Sequence, residues 1–191
     1  MDPIALIDRP LAITDIETTG RDPERHEIIE IGLVLVEHRT WRVRNTAEFH
    51  IYPTRLDLAE PEALQVNGYH DRLGEWCAAR GLSEALGQLA SLTARANLVT
   101  YNLRFDGPFI ERAFQETGIE NRLRHHQFDL MTLAWFMLAP LGLTSLKLAA
   151  VSEFLGLDPE PLPHRALSGA IHAYEVMKTL AAMRLQAGGG S

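Results

Sequence analysis

The chain has 191 residues, enough for a single domain with a substantial core. Its apolar content of 46% and charged content of 23% are ordinary for a soluble globular protein, and no apolar run approaches the roughly 20 residues that span a bilayer. The N-terminus has no basic region ahead of an apolar stretch, and Cys77 is the only cysteine, which excludes an intrachain disulfide. We therefore expect a cytoplasmic protein with no membrane association.

The net charge of −7 argues against a protein that coats nucleic acid by positive charge alone. It does not exclude a nuclease. A site rich in carboxylates takes up metal ions before it accepts phosphate, and those ions supply the missing positive charge.

The first half of the chain is rich in predicted strands. Alternating apolar patterns predict strands over residues 11–17, 28–36 and 41–51, with a turn near 37–40 that makes a hairpin of the last two. Helices are predicted over residues 60–67 and 82–93, and a short strand over 97–101. A helix over 105–117 follows, closed by Gly118.

The second half is mostly helical. A short strand is predicted over 127–129, and the helices over 129–138, 146–155 and 164–185, with Asp129 and Ser145 as N-caps. The order of elements predicts an α/β domain over residues 1–187, with a mixed central sheet of about five strands flanked by helices. Residues 188–191 form a Gly/Ser tail that we expect to be flexible.

The pair Asp15 and Glu17, in the run LAITDIETTG over residues 11–20, is the first candidate site. On a strand, residues i and i+2 point to the same face, so the two carboxylates would stand side by side. Their charges repel unless a cation lies between them, and Mg²⁺ or Mn²⁺ favours oxygen ligands of this kind. Alternatively, the pair is a solvated strand end.

Asp106 and His164 are two further candidates. Asp106 follows a predicted strand at the start of a helix, where a carboxylate also interacts favourably with the helix dipole. His164 opens the last predicted helix after Pro163, and could equally be an ordinary loop histidine.

Taken together, these motifs resemble those of the DEDDh family of 3′–5′ exonucleases, which includes the proofreading subunits and domains of bacterial replicative polymerases. The shared patterns are D-x-E-T-T-G at 15–20 with E-I-I-E-I-G at 27–32, N-x-x-F-D at 102–106, and H-R-A-L-S-G-A at 164–170. The resemblance covers about residues 10–185 and implies a ribonuclease H-like fold.

The resemblance implies a two-metal mechanism with Mg²⁺ or Mn²⁺. Asp15 would bridge both ions, Glu17 would hold the ion that activates water, Asp106 would serve the second ion, and His164 would act as general base. Substrate contacts are expected from five further residues, Ile16, Thr18, Thr19, Asn102 and Phe105.

One position departs from the family pattern. Gly169 stands where the family has its last metal-binding aspartate, so we expect the first ion to bind more weakly. His172, Asp158 or Glu160 could replace the missing ligand, and so could water.

The sequence therefore favours a 3′–5′ exonuclease acting on single-stranded or frayed DNA or RNA ends, impaired by Gly169, with a polymerase as a possible partner. Two alternatives stay open. One is a non-catalytic module that binds nucleic acid or a partner protein. The other is a ribonuclease H-like endonuclease or transposase relative, which does not predict H-R-A-L before the last helix.

Overall fold

The computed structural model describes residues 4–188, and within them five strands form one mixed sheet in the order β3-β2-β1-β4-β5. β1 pairs antiparallel with β2 and parallel with β4, β2 pairs antiparallel with β3, and β4 pairs parallel with β5. The strands are β1 (Leu11–Thr18), β2 (Ile28–Glu37), β3 (Arg42–His50), β4 (Asn97–Thr100) and β5 (Gln127–Asp129). The five-stranded mixed sheet predicted from the sequence is confirmed.

Helices cover both faces of this sheet. They are α1 (Pro61–Val66), α2 (Leu82–Leu92), α3 (Leu103–Thr117), α4 (Leu130–Leu138), α5 (Leu148–Phe154) and α6 (Ala166–Gly188). Short 3₁₀ segments occupy Leu6–Asp8, Leu56–Leu58, His70–Ala78 and Ala139–Leu141. Across the described residues, no helix combines the length and apolar character needed to cross a bilayer.

Three helix starts differ from the prediction by two residues, and the first is α3, which begins at Leu103 instead of residue 105. α5 begins at Leu148 with Lys147 as N-cap, because the Ser145 hydroxyl accepts a hydrogen bond from the Lys147 amide at 3.3 Å in the preceding turn instead of capping the helix. α6 begins at Ala166, so His164 lies in the loop before the helix. Of the predicted tail, Gly188 is the last residue of α6 and residues 189–191 lie outside the described residues.

Alternation along β1 separates the two cores. Ala12 and Ile16 pack in the core that includes α2 and α3, whereas Leu11 and Ile13 pack in the core that includes α4, α5 and α6. Because successive strand side chains point to opposite faces, the odd-numbered acids at the end of β1 face the α6 side.

Gly32 lets the start of α6 approach the sheet. It lies opposite Asp15 in the β1–β2 register. A Cβ at this position would overlap the backbone of Ala166 and Leu167, so any side chain here would push α6 away from the strand that carries Asp15.

The buried carboxylate of Glu30 then fixes α6 in place. Its Oε1 lies 2.5 Å from Arg72 Nη2 and 2.9 Å from His50 Nε2, and its Oε2 accepts from the Ala166 amide at 3.3 Å. Burial alone would raise the pKa of Glu30, but the neighbouring His50 and Arg72 lower it below its ordinary value. Glu75 extends the network, because it pairs with Arg72 and Arg165 at 2.8 Å each.

Replacing Arg72 with Met should destabilise the protein strongly, because it leaves a buried carboxylate without its permanent cation. We expect the free energy of unfolding, measured by chemical denaturation at pH 7, to fall by about 3–5 kcal/mol. Arg39→Met is the matched control. It breaks an exposed ion pair with Asp8 and should leave the midpoint of chemical denaturation unchanged. Equal effects of the two variants would contradict this role of Glu30.

Candidate active site

A polar cleft of about 170 Å³ opens at the end of β1, on the α6 side of the sheet. It gathers the four principal residues predicted from the sequence, which come from β1, α3 and the loop before α6. Its lining residues are Asp15, Ile16, Glu17, Tyr101, Asn102, Phe105, Asp106, Leu148, Glu160, His164 and Gly169. The sequence separates these residues by up to about four fifths of the chain, and the fold brings them together.

A second groove of about 360 Å³ continues from the cleft and shares Ile16, Glu17 and Phe105 with it. Thr18, one of the residues expected to contact substrate, lines this groove. Thr19 lines neither space. Its side chain is buried, and its hydroxyl accepts from the Glu27 amide at 2.9 Å, so it stabilises the loop after β1 instead of facing a ligand.

The position of Asp106 follows from how α3 begins. Asp129 caps α4, as predicted, by accepting from the Thr132 amide at 2.9 Å. The other oxygen of the Asp129 carboxylate accepts from the Leu103 amide, also at 2.9 Å. One carboxylate therefore ties the starts of α3 and α4 together, and Asp106, in the first turn of α3, lies at the cleft with only 3% of its surface exposed.

Four carboxylates line the cleft, and His164 is the only basic side chain among the lining residues. Burial raises the pKa of Glu17 to about 8, and the charges of Glu30 and Glu160 add to the effect. Burial also raises the pKa of Asp106 to about 7. For Asp15, burial and the charges of Asp106 and Glu17 move the pKa in the same upward direction. Such a group of acids favours a bound cation.

His164 reaches the cleft from the loop before α6. Its backbone amide donates to the carbonyl of Val66 at 3.3 Å, and its ring is 41% exposed. Nδ1 lies 3.2 Å from Oε2 of Glu160, whose side chain is only 11% exposed. The contact leaves Nε2 free of Glu160.

The space beside Gly169 is filled by Asp15. A Cβ at position 169 would overlap the Asp15 carboxylate, so any side chain there would require Asp15 to rotate. Of the replacement ligands considered from the sequence, His172 lies outside the cleft lining and its Nε2 is 2.6 Å from the Ser152 hydroxyl. Asp158 is exposed, and Glu160 alone lines the cleft.

The donor set of the cleft fits a hard divalent cation, because ionised carboxylates only accept and offer oxygen. The side chains of Asp15, Glu17 and Asp106 line one cleft, but their carboxylate oxygens do not all lie within 4.8 Å of one another. Among the described residues, only Glu30, Glu48 and His50 form a group with ligand atoms that close. Arg72 already neutralises Glu30 in that group, so we interpret it as an ion-pair network. Sequence pattern does not predict this network, because only the folded His70–Ala78 segment brings Arg72 to β2.

Comparison with known proteins agrees with this geometry. A profile of the RNase_T family, described as exonuclease, matches residues 12–177. The chain belongs to this exonuclease family. The family resemblance predicted from the three motifs is therefore confirmed.

Two relatives illustrate the range of exonuclease-family proteins that this chain resembles. Ribonuclease T from Haemophilus influenzae (strain PittEE) is 29% identical over 157 residues, which cover 75% of this chain and 69% of that protein. DNA polymerase III PolC-type from Mycoplasmopsis pulmonis (strain UAB CTIP) is 28% identical over 163 residues, which cover 84% of this chain but only 11% of the polymerase.

The fold also matches solved structures. The zinc-bound complex of E. coli ExoI with single-stranded DNA superimposes with a TM-score of 0.76 at 18% identity. The match covers 93% of this exonuclease-family chain and 41% of that one. It confirms the ribonuclease H-like architecture that the sequence predicts.

The raised pKa values predict that the metal-free protein loses stability as the pH rises. Glu17 and Asp106 have folded pKa values of about 8 and 7, above those of an unfolded chain. The folded state therefore binds more protons, and its stability falls from about pH 4 until both folded pKa values are passed. We expect the thermal midpoint in EDTA to fall between pH 5 and pH 9.

Asp106→Asn should make this decline shallower, whereas Asp158→Asn should not. The comparison is needed because His50, whose pKa is raised mainly by Glu30, contributes a decline of the same sign. Identical pH profiles for wild type and Asp106→Asn would contradict the assignment.

Proposed function

We propose that this chain hydrolyses phosphodiester bonds at the 3′ ends of single-stranded or frayed DNA or RNA and releases nucleoside 5′-monophosphates. The observation that carries the proposal is the cleft in which Asp15, Glu17, Asp106 and His164 meet, in a chain of the exonuclease family.

Asp15, Glu17 and Asp106 would hold Mg²⁺ or Mn²⁺. When bound, such ions polarise the scissile phosphate and lower the pKa of water. Bound cations would also offset the negative charge that ionised carboxylates present to an incoming phosphate. Gly169 contributes no oxygen, so we expect one of the two ions to bind more weakly than the other.

His164 would accept the proton of the attacking water. Its position in a loop, with Nε2 free of the Glu160 contact, suits this role. The terminal nucleotide would be contacted by residues that line the cleft and the second groove, namely Ile16, Thr18, Asn102 and Phe105.

The solved relatives support a substrate with a single-stranded end. Structures of E. coli ExoI have been determined with single-stranded DNA and with a dT13 oligonucleotide. The PolC-type relative supports association with a polymerase, as a separate chain or as part of a longer one. We propose that the reaction takes place in the cytoplasm.

A second candidate function is a module that binds nucleic acid without cutting it. Gly169 favours this alternative, because it removes a carboxylate from the cleft. The retention of the other three acids and of His164 favours the enzyme.

A directional assay tests the enzymatic proposal. With Mn²⁺ and a 5′-labelled single strand, we expect progressive shortening from the 3′ end and release of mononucleotides. Asp15→Asn should abolish the reaction, and His164→Ala should slow it by about 10²–10⁴-fold. Cleavage of a circular single strand would indicate an endonuclease instead, and binding without cleavage would indicate the non-catalytic module.

Gly169→Asp should raise the rate at limiting Mn²⁺ at least tenfold, because a carboxylate on a helix is held in place more firmly than a loop ligand or water. Gly169→Asn is the matched control, since it adds a similar volume without the charge. Equal rates for wild type and Gly169→Asp across a Mn²⁺ titration would show that position 169 does not limit metal binding.

A further inference from the structure

We infer that Glu160 supplies the fourth carboxylate of the metal site, in place of the acid that is missing at position 169. The inference rests on the proposed function, since it assumes that the cleft binds divalent cations.

The first argument is the position of Glu160. It lies in a proline-rich loop whose other acid, Asp158, is exposed, yet its own side chain is 11% exposed and lines the cleft with Asp15, Glu17 and Asp106. An acid on a surface loop lowers its free energy by staying in water unless something in the protein compensates for burial. The inward position of Glu160 therefore requires a partner.

The second argument is the partner that Glu160 has. Among the residues that the structure describes, its only ion-pair contact is the single, partly exposed ring of His164. Glu160 lines the same cleft as Asp15, Glu17 and Asp106, so four carboxylates share one space. One histidine carries too little positive charge to neutralise four neighbouring carboxylates, whereas two divalent cations carry enough.

The third argument is the space at position 169. Asp15 fills the volume where a side chain on α6 would stand, so α6 contributes no ligand and leaves no room for one without a movement of Asp15. The remaining boundary of the cleft includes the loop before α6, and Glu160 is its only acid there. The contact with His164 involves Oε2, and a carboxylate has a second oxygen with which to bind an ion.

Metal binding by the intact chain, measured by Mn²⁺ titration with electron paramagnetic resonance, tests the inference without relying on activity. Glu160→Gln keeps the shape of the side chain and should weaken at least one Mn²⁺ site tenfold or more. Asp158→Asn removes an acid from the same loop outside the cleft and should change the affinity less than twofold. The thermal midpoint in EDTA verifies that each variant is folded.

A rescue experiment separates ligation from a general loss of charge. If Glu160 replaces an acid at position 169, then Gly169→Asp in the Glu160→Gln background should restore most of the Mn²⁺ affinity. Gly169→Asn in the same background should not.

Two results would overturn the inference, and only the second would also contradict the proposed function. If Asp15→Asn abolishes Mn²⁺ binding but Glu160→Gln leaves it unchanged, Glu160 is not a ligand and the proposed function stands. If Glu160→Gln then lowers the rate of hydrolysis and shifts its pH profile, Glu160 is a positioning residue for His164. If Asp15→Asn also leaves Mn²⁺ binding unchanged, the metal centre itself is wrong and the proposed function fails with it.

Discussion

The buried charge of Glu30 determines where the last helix begins, and the geometry of the cleft depends on that point. Arg72 and His50 hold one oxygen of this carboxylate, and the other accepts from the Ala166 amide. Since Gly32 allows the helix backbone to touch the sheet, α6 begins directly above β2. Four residues into the helix from Ala166, Ala170 is already in the core, and Gly169 beside it lies against Asp15.

Glu30 and Glu17 lie opposite each other on neighbouring strands, yet their surroundings give them different properties. Arg72 pairs directly with Glu30 and lowers its pKa, whereas burial and the charge of Glu30 raise that of Glu17 to about 8. One acid is thus neutralised within the protein and serves the fold. The other lacks a comparable partner and is available to a cation. The two acids therefore differ because Arg72 and His50 both contact Glu30, whereas burial without such a direct partner dominates at Glu17.

Most of the fold could be predicted from the sequence because its signals are local. Alternating apolar residues predicted the strands, and the side chain of Asp129 predicted the start of α4. The 3₁₀ segment that carries Arg72 was not predicted because it starts without a side-chain cap and is interrupted at Arg72 itself, whose backbone angles are not helical. The sequence motifs predicted that Asp15 and Asp106 would be site residues. The inward position of Glu160 could not be predicted in this way, because it depends on how a loop packs and not on a local sequence pattern. Family membership rests on the profile match, which the motifs predicted.

The overlap between Asp15 and the missing side chain of residue 169 also constrains how this sequence can evolve. An acid introduced at position 169 would overlap the Asp15 carboxylate, while Glu160 already lines the same cleft. Its effect would then depend on which residues stand at positions 15 and 160, since mutations that share a contact do not combine additively. A single substitution at position 169 would therefore require the side chains at positions 15, 160 and 169 to adjust together. Epistasis of this kind makes the outcome of a substitution at position 169 depend on the sequence background that receives it.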